Sequence, residues 1–256
     1  MSNNTELGFV NCEIRDGIAY ITFYHPAHNS LPGQLLAKLR ATIDEMGQSE
    51  EAKLVVLQSE GERTFCAGAS FDELASITDF QTGKKFFLGF ANVINAMRKC
   101  PKIIIGRIQG KAIGGGVGLA AACDYTFATR FASIKLSELA VGIGPFVIGP
   151  AVQRKMQLHA FSQLALDATE FQSADWAQNR GLYQEVLEDI AQMDAHISQF
   201  SKKLLSSNPD ALRLLKRVFW EGTDHWDALL DERAGMSGTL VLSDFTKNAI
   251  AAFKNK

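Results

Sequence analysis

Cysteine is scarce in this chain, with four among 256 residues, at positions 12, 66, 100 and 123. No two are close enough for a C-x-x-C pair, which excludes a zinc ribbon and a thioredoxin-like redox motif, and lone thiols suit a reducing compartment. An excess of either charge is missing too. Twenty-six basic residues face 28 acidic ones for a net charge of −2, so no global field attracts nucleic acid and no such partner is expected. The longest uncharged apolar stretch, Leu139 to Val152, is interrupted by Gly142, Gly144, Pro145, Gly149 and Pro150. It falls short of the roughly 20 residues a spanning helix needs, and reads as buried loop and helix rather than membrane. The opening residues, MSNNTELGF, have no basic segment leading into an apolar core, so a cytoplasmic location is expected.

Several catalytic and nucleotide signatures are also lacking. The histidines at 25, 28, 159, 196 and 225 form no H-E-x-x-H, and no serine sits in G-x-S-x-G. Neither G-x-G-x-x-G nor G-x-x-x-x-G-K-[ST] can be laid over residues 106–118. His25 and His28 flank a short loop and read as solvated residues, so no metal site is expected.

What is present is the material of a large core: 46% of residues are hydrophobic and 21% charged, enough to fold without disulfide or metal. Phe9 to Phe23 reads as a hairpin turning at Asp16-Gly17. Leu35, Leu36, Leu39, Ile43 and Met46 recur at helical spacing before the strand-like run Leu54 to Leu57. A second helix is predicted from Phe80 to Met97, with Phe86, Phe87, Phe90, Val93 and Ile94 on one side, then a short buried strand through Ile103 to Ile108. A small-residue helix, Val117 to Cys123, and a strand from Tyr125 to Ala128 follow. Beyond Glu188 the pattern is helical, in segments 190–205, 209–220, 226–242 and 245–253. The fold class is therefore α/β, with a core over 1–188 and a helical region over 189–256. No repeat of 20 to 50 residues is visible.

Two glycine-containing loops, Thr64 to Ser70 and Gly110 to Gly118, each follow a buried strand and precede a helix signal. Small residues let a ligand approach the main chain, and a helix starting near Gly115 would aim free N–H groups and its positive dipole end at that ligand. Close packing of helix on strand asks for the same residues, and spacing alone favours that reading. Glu138 enters an apolar stretch, where burial would raise its pKa and suit it to proton transfer. Taken singly, it reads more readily as a helix-start residue behind a Ser137 cap. Asp124 and Arg154 read as structural, and Asp72 and Glu73 as the opening of a solvated helix.

In order and spacing, these pieces resemble the crotonase superfamily, the enoyl-CoA hydratases and isomerases, over nearly the whole chain. Phe65-Cys-Ala-Gly-Ala69 resembles the family's F-x-A-G-A loop, and Ile108-Gln-Gly-Lys-Ala-Ile-Gly-Gly-Gly116 its glycine run. Ala122-Cys-Asp124 and Ser137-Glu138-Leu139 resemble its C-D and P-E-(I/L) elements, and Ala252-Phe253 to Lys256 its closing A-F-x-x-K. The resemblance implies a superhelix of β-β-α turns, C-terminal helices that make homotrimers or homohexamers, and acyl-CoA substrates, with no cofactor beyond the coenzyme A of the substrate itself. It implies backbone donors at Ala69 and Gly115 for a thioester oxyanion, Ala67, Gly68, Gly114 and Gly118 along the bound substrate, and Lys256 on the CoA phosphates.

The departures bear on the reaction. Hydratases of the family carry a second glutamate at the position of Gly118, so Glu138 is the one acid left. Hydration uses paired carboxylates to hold and deprotonate water, whereas moving a double bond from C-3 to C-2 needs one group to take a proton from C-2 and return it at C-4. Isomerisation is therefore the expected reaction, with hydration, or acyl-CoA binding without turnover, as the alternatives. The Pro26 to Leu31 loop and Leu139-Ala-Val-Gly-Ile-Gly-Pro-Phe146 resemble mitochondrial-type enoyl-CoA isomerases. Ser70 and Ser137 depart from the family's usual aspartate and proline.

Overall fold

Asp16 and Gly17 both take positive φ, 50° and 79°, the conformation that joins two twisted strands through a two-residue turn. In the computed structural model, which describes residues 8–254, they connect β1 (Phe9–Arg15) to the antiparallel β2 (Ile18–Tyr24). The apolar stripe seen in the sequence then forms α1 (Gly33–Gln48), which buries Leu35, Leu36, Leu39, Ile43 and Met46.

Three turns of chain follow the same course. The first contains β3 (Leu54–Ser59), β4 (Thr64–Cys66), the short α2 (Phe71–Ala75) and the long α3 (Phe80–Lys99). The second contains β5 (Ile104–Ile108), β6 (Lys111–Ile113) and α4 (Gly115–Ala122). The third contains β7 (Tyr125–Thr129), β8 (Ile134–Lys135) and α5 (Gly149–Leu166), before α6 (Ala174–Asn179) and β9 (Glu185–Leu187). The longer strand of each turn joins a six-stranded sheet of order β1-β2-β3-β5-β7-β9, parallel from β2 onward. The shorter strand joins a parallel three-stranded sheet, β4-β6-β8. Gln109, 1% exposed, ties successive turns by donating to Ser59 Oγ (2.9 Å) and the Gly61 carbonyl (3.0 Å).

α4 is buried on every side. Its sequence, GGVGLAAA, has no polar face, as suits a helix packed against α3, α5 and the small-sheet strands β4 and β6. The C-terminal helices are α7 (Ile190–Leu205), α8 (Pro209–Phe219), α9 (Trp226–Leu240) and α10 (Asp244–Lys254). Trp220, Trp226, Leu230 and Ala234 share one buried cluster with α1, α3 and α4, so this helical region packs into the core. α9 crosses α3 at bare backbone, where a Cβ on Gly83 would lie 3.1 Å from the Gly238 carbonyl oxygen. The sequence reading missed the strands of the small sheet, each of two or three residues.

Candidate active site

The site begins where β4 and β6 end. Leu31 N–H donates to the Gly68 carbonyl (2.7 Å) and Ser70 N–H donates to the Leu31 carbonyl (3.2 Å). A parallel bridge of this kind leaves the N–H of Ala69, the residue between, turned away from Leu31, and Ala69 lines a cavity. Gly68 has φ 92°, and a Cβ on it would stand 3.2 Å from the Ile113 carbonyl oxygen and 3.5 Å from Gly115 N. The two loops therefore touch at a point where only glycine fits.

Gly114, φ 52°, donates its N–H to the Lys135 carbonyl (2.9 Å) and turns the chain into α4. Gly115 is the first helical residue, so its N–H has no acceptor within the helix, and the residue lines the same cavity. A side chain at Gly115 would run into the Phe90 ring, and one at Gly116 into the Cys66 carbonyl. The packing reading of these glycines holds, since close approach is what brings the two loops together.

Glu138 is carried by the segment after β8, immediately before a 3-10 turn over Leu139–Val141 that ends at Gly142 in the left-handed region, φ 83°. No side chain caps that turn, so Ser137 does not act as the cap its position suggests. The residue is half-buried overall, yet its carboxylate end lies inside, and Oε2 is buried without a hydrogen-bond partner. Burial pushes the Glu138 pKa up to about 7, against a smaller downward pull from its own backbone N–H. The carboxylate lies over Gly114, where a Cβ would come 2.9 Å from Oε1. A carboxyl group balanced between its two forms near neutrality can both accept and return a proton.

Gly118 is one turn further along α4 and is not part of the cavity wall. A Cβ there would meet Ile148 Cγ2 at 2.5 Å and Ile94 Cδ1 at 3.6 Å. The expectation that Gly118 lines the substrate is corrected accordingly: helix packing occupies the space around it. Ala67, Gly68, Ala69, Gly114, Gly115 and Glu138 do line the cavity together, a space of about 850 Å³. Lys256 lies outside the described residues. Sequence reasoning did not single out Ile148 or Ala249 of α10, and met Ala252 only as part of the closing A-F-x-x-K; all three line this space. It found Phe86, Phe87 and Phe90 only as a helical stripe. A second hollow of about 550 Å³ lies between Tyr20, Gln58 and α7, but its Arg107 and Asp194 are committed to each other at 2.6 and 3.0 Å.

Residues 13–256 match the model of the enoyl-CoA hydratase/isomerase family. The chain belongs to that family of enzymes, within the crotonase superfamily. It is 28% identical over 254 residues to a short-chain-enoyl-CoA hydratase of Clostridium acetobutylicum, covering 98% of this chain and 96% of the relative. It is 30% identical over 242 residues to the mitochondrial methylglutaconyl-CoA hydratase of Rattus norvegicus, covering 89% and 73%. The fold matches the crystal structure of an enoyl-CoA hydratase from Bacillus halodurans with a TM-score of 0.87 at 22% identity, covering 95% of this chain and 99% of that one.

Proposed function

We propose that this enzyme converts 3-enoyl-CoA thioesters to 2-enoyl-CoA thioesters, with Glu138 moving the proton. The thioester oxygen accepts hydrogen bonds from the N–H groups of Ala69 and Gly115. Glu138 takes a proton from C-2, the electron pair spreads onto the oxygen as an enolate, and the same carboxyl returns the proton at C-4. Each such donor is worth roughly 3–4 kcal/mol to an oxyanion in a site closed to water. The observation that carries the reading is the pairing of one buried carboxyl, its pKa raised to about 7, with an Ile148 side chain filling the space beside Gly118.

The relatives' names favour a second reading, since those quoted above are called hydratases. Offering the purified protein 3-enoyl-CoA and crotonyl-CoA side by side tests the choice. Conversion of the first with slow hydration of the second is expected. Rapid hydration of crotonyl-CoA with no conversion of 3-enoyl-CoA would reverse the assignment, and binding without turnover of either would make the chain a non-catalytic acyl-CoA binder.

The proposal extends to a homotrimer, single or paired into a hexamer. It is supported by α8, where Leu214, Leu215, Val218 and Phe219 are all exposed along one face. Light scattering should give a multiple of the 28.0 kDa chain; a stable monomer at micromolar concentration would contradict it.

A further inference from the structure

Gly115 and Glu138 lie on the wall of one cavity, which Ala27, His28, Ser30 and Ala67 also line. α3 contributes an apolar arm of that wall: Phe90 lies against Gly115, and Phe86 and Phe87 follow one turn earlier. Leu74, Val141 and Ile143 line the same cavity, as does Ala249 of α10.

Among the described residues this arm carries no charged side chain. Glu138 and Lys135 are the charged residues among those described on the cavity wall, and the Lys135 ammonium is held 4.4 Å from the centroid of Phe171, a ring outside that wall. α10 is fixed in place against this cavity. Ile250 packs against Leu74, Ile77, Ile143 and Val241, and Thr246 Oγ1 donates to the Gly142 carbonyl at 3.1 Å. Gly142 has no room for a side chain, since a Cβ would lie 2.5 Å from Thr246 Oγ1.

We propose that the acyl group is a neutral hydrocarbon lying along α3, and that Ala249 sets how long it can be. The inference rests on the reading of the cavity as an acyl-CoA site. Each methylene placed in the arm leaves water for an apolar wall, so affinity rises with chain length until α10 is reached. A second carboxylate on the acyl group would lose its hydration with no cation among the described wall residues of the arm to meet it. Acyl groups ending in a carboxylate are therefore rejected, whatever the relatives accept.

Calorimetry with saturated thioesters tests this without any reaction. Affinity should rise roughly tenfold from butanoyl- to hexanoyl-CoA and again to octanoyl-CoA, the yield of two buried methylenes per step. Glutaryl-CoA should bind at least 100-fold more weakly than pentanoyl-CoA. Ala249→Phe should lower the octanoyl-to-butanoyl affinity ratio at least tenfold, and Ala249→Leu makes the same comparison where phenylalanine prevents folding. Equal affinity across chain lengths, glutaryl-CoA matching pentanoyl-CoA, or an unchanged ratio in a folded variant would each overturn the proposal. Because no turnover is involved, a protein that reads chain length in this way yet converts no 3-enoyl-CoA keeps this inference and loses the isomerase assignment.

Discussion

The side chain of Ile148, at the entry to α5, stands where a side chain on Gly118 would have to go, with 2.5 Å between its Cγ2 and the position of a Cβ at 118. Restoring the family's second acid therefore takes more than one substitution. Gly118→Glu alone is expected to overpack the α4–α5 contact and lower stability by about 1–3 kcal/mol, with little gain in hydration. Gly118→Glu with Ile148→Ala vacates the space and should raise crotonyl-CoA hydration above both wild type and either single variant. Following the loss of enoyl absorbance, together with denaturant melts, checks both halves.

Ala69 and Gly115 do not make equally clean tests of the oxyanion donors. Proline at 115 brings ring carbons into Phe90, so a loss of rate there mixes packing with chemistry. Proline at 69 removes an N–H that the bridge to Leu31 does not use, since that bridge runs through Gly68 and Ser70. Ala69→Pro should cut turnover by about 10²–10³, the usual cost of one such donor, while affinity for a saturated acyl-CoA changes far less. Equal losses in both would point to a misplaced loop instead.

Much of this arrangement was readable from the residues. Asp16-Gly17 announced its turn because few residue pairs tolerate two positive φ angles, and α1 and α3 announced themselves by apolar spacing. The β-β-α turns left no repeat because their first strands begin at Leu54, Ile104 and Tyr125, with very unequal lengths of chain between them. β8 has two residues, too few for any alternation to register, and pairs with a strand it meets only in the folded chain. Glu138 stood out as a carboxylate entering an apolar segment. The contact of Ile148 with Gly118, and that of α10 with Gly142, join residues far apart in sequence, and no local pattern encodes them.

Glu138 should set both the rate and the pH dependence. Glu138→Gln keeps the shape and removes the base, so isomerisation should fall at least 100-fold, the lower end of general-base catalysis at about 10²–10⁴. In the wild type kcat/KM should rise with pH through about 7 and level off as the carboxyl ionises. Stability runs the other way. The folded-state pKa lies above the ordinary value of 4.5, so between 4.5 and about 7 the native state holds more protons than the unfolded chain and loses stability as pH rises. Glu138→Gln should therefore be more stable than wild type at pH 8, by up to about 3 kcal/mol, with the difference shrinking toward pH 4.5. A thermal melt series across that range checks the sign.

Lys216 of α8 holds the C-terminal helices to the core through a buried ion pair. Its ammonium lies 2.7 Å from Asp124 Oδ2, with the two side chains 3% and 2% exposed, and it also donates to the Met97 carbonyl (2.9 Å). Asp124 accepts two further hydrogen bonds, from Trp220 Nε1 (2.9 Å) and Ile104 N–H (2.8 Å), so its charge is satisfied on several sides. Lys216→Met removes the cation and leaves that carboxylate buried, which should cost about 3–5 kcal/mol in chemical unfolding. Lys216→Met with Asp124→Asn removes both charges, and the amide oxygen can still accept from one of the two donors, Trp220 Nε1 or Ile104 N–H, which now reach different Asp124 oxygens. The double variant should recover much of the loss, because the penalty in the single variant comes from the stranded charge. If the double variant is no more stable than Lys216→Met, the ammonium bond to Met97 at the end of α3, rather than the ion pair, is what fastens α8.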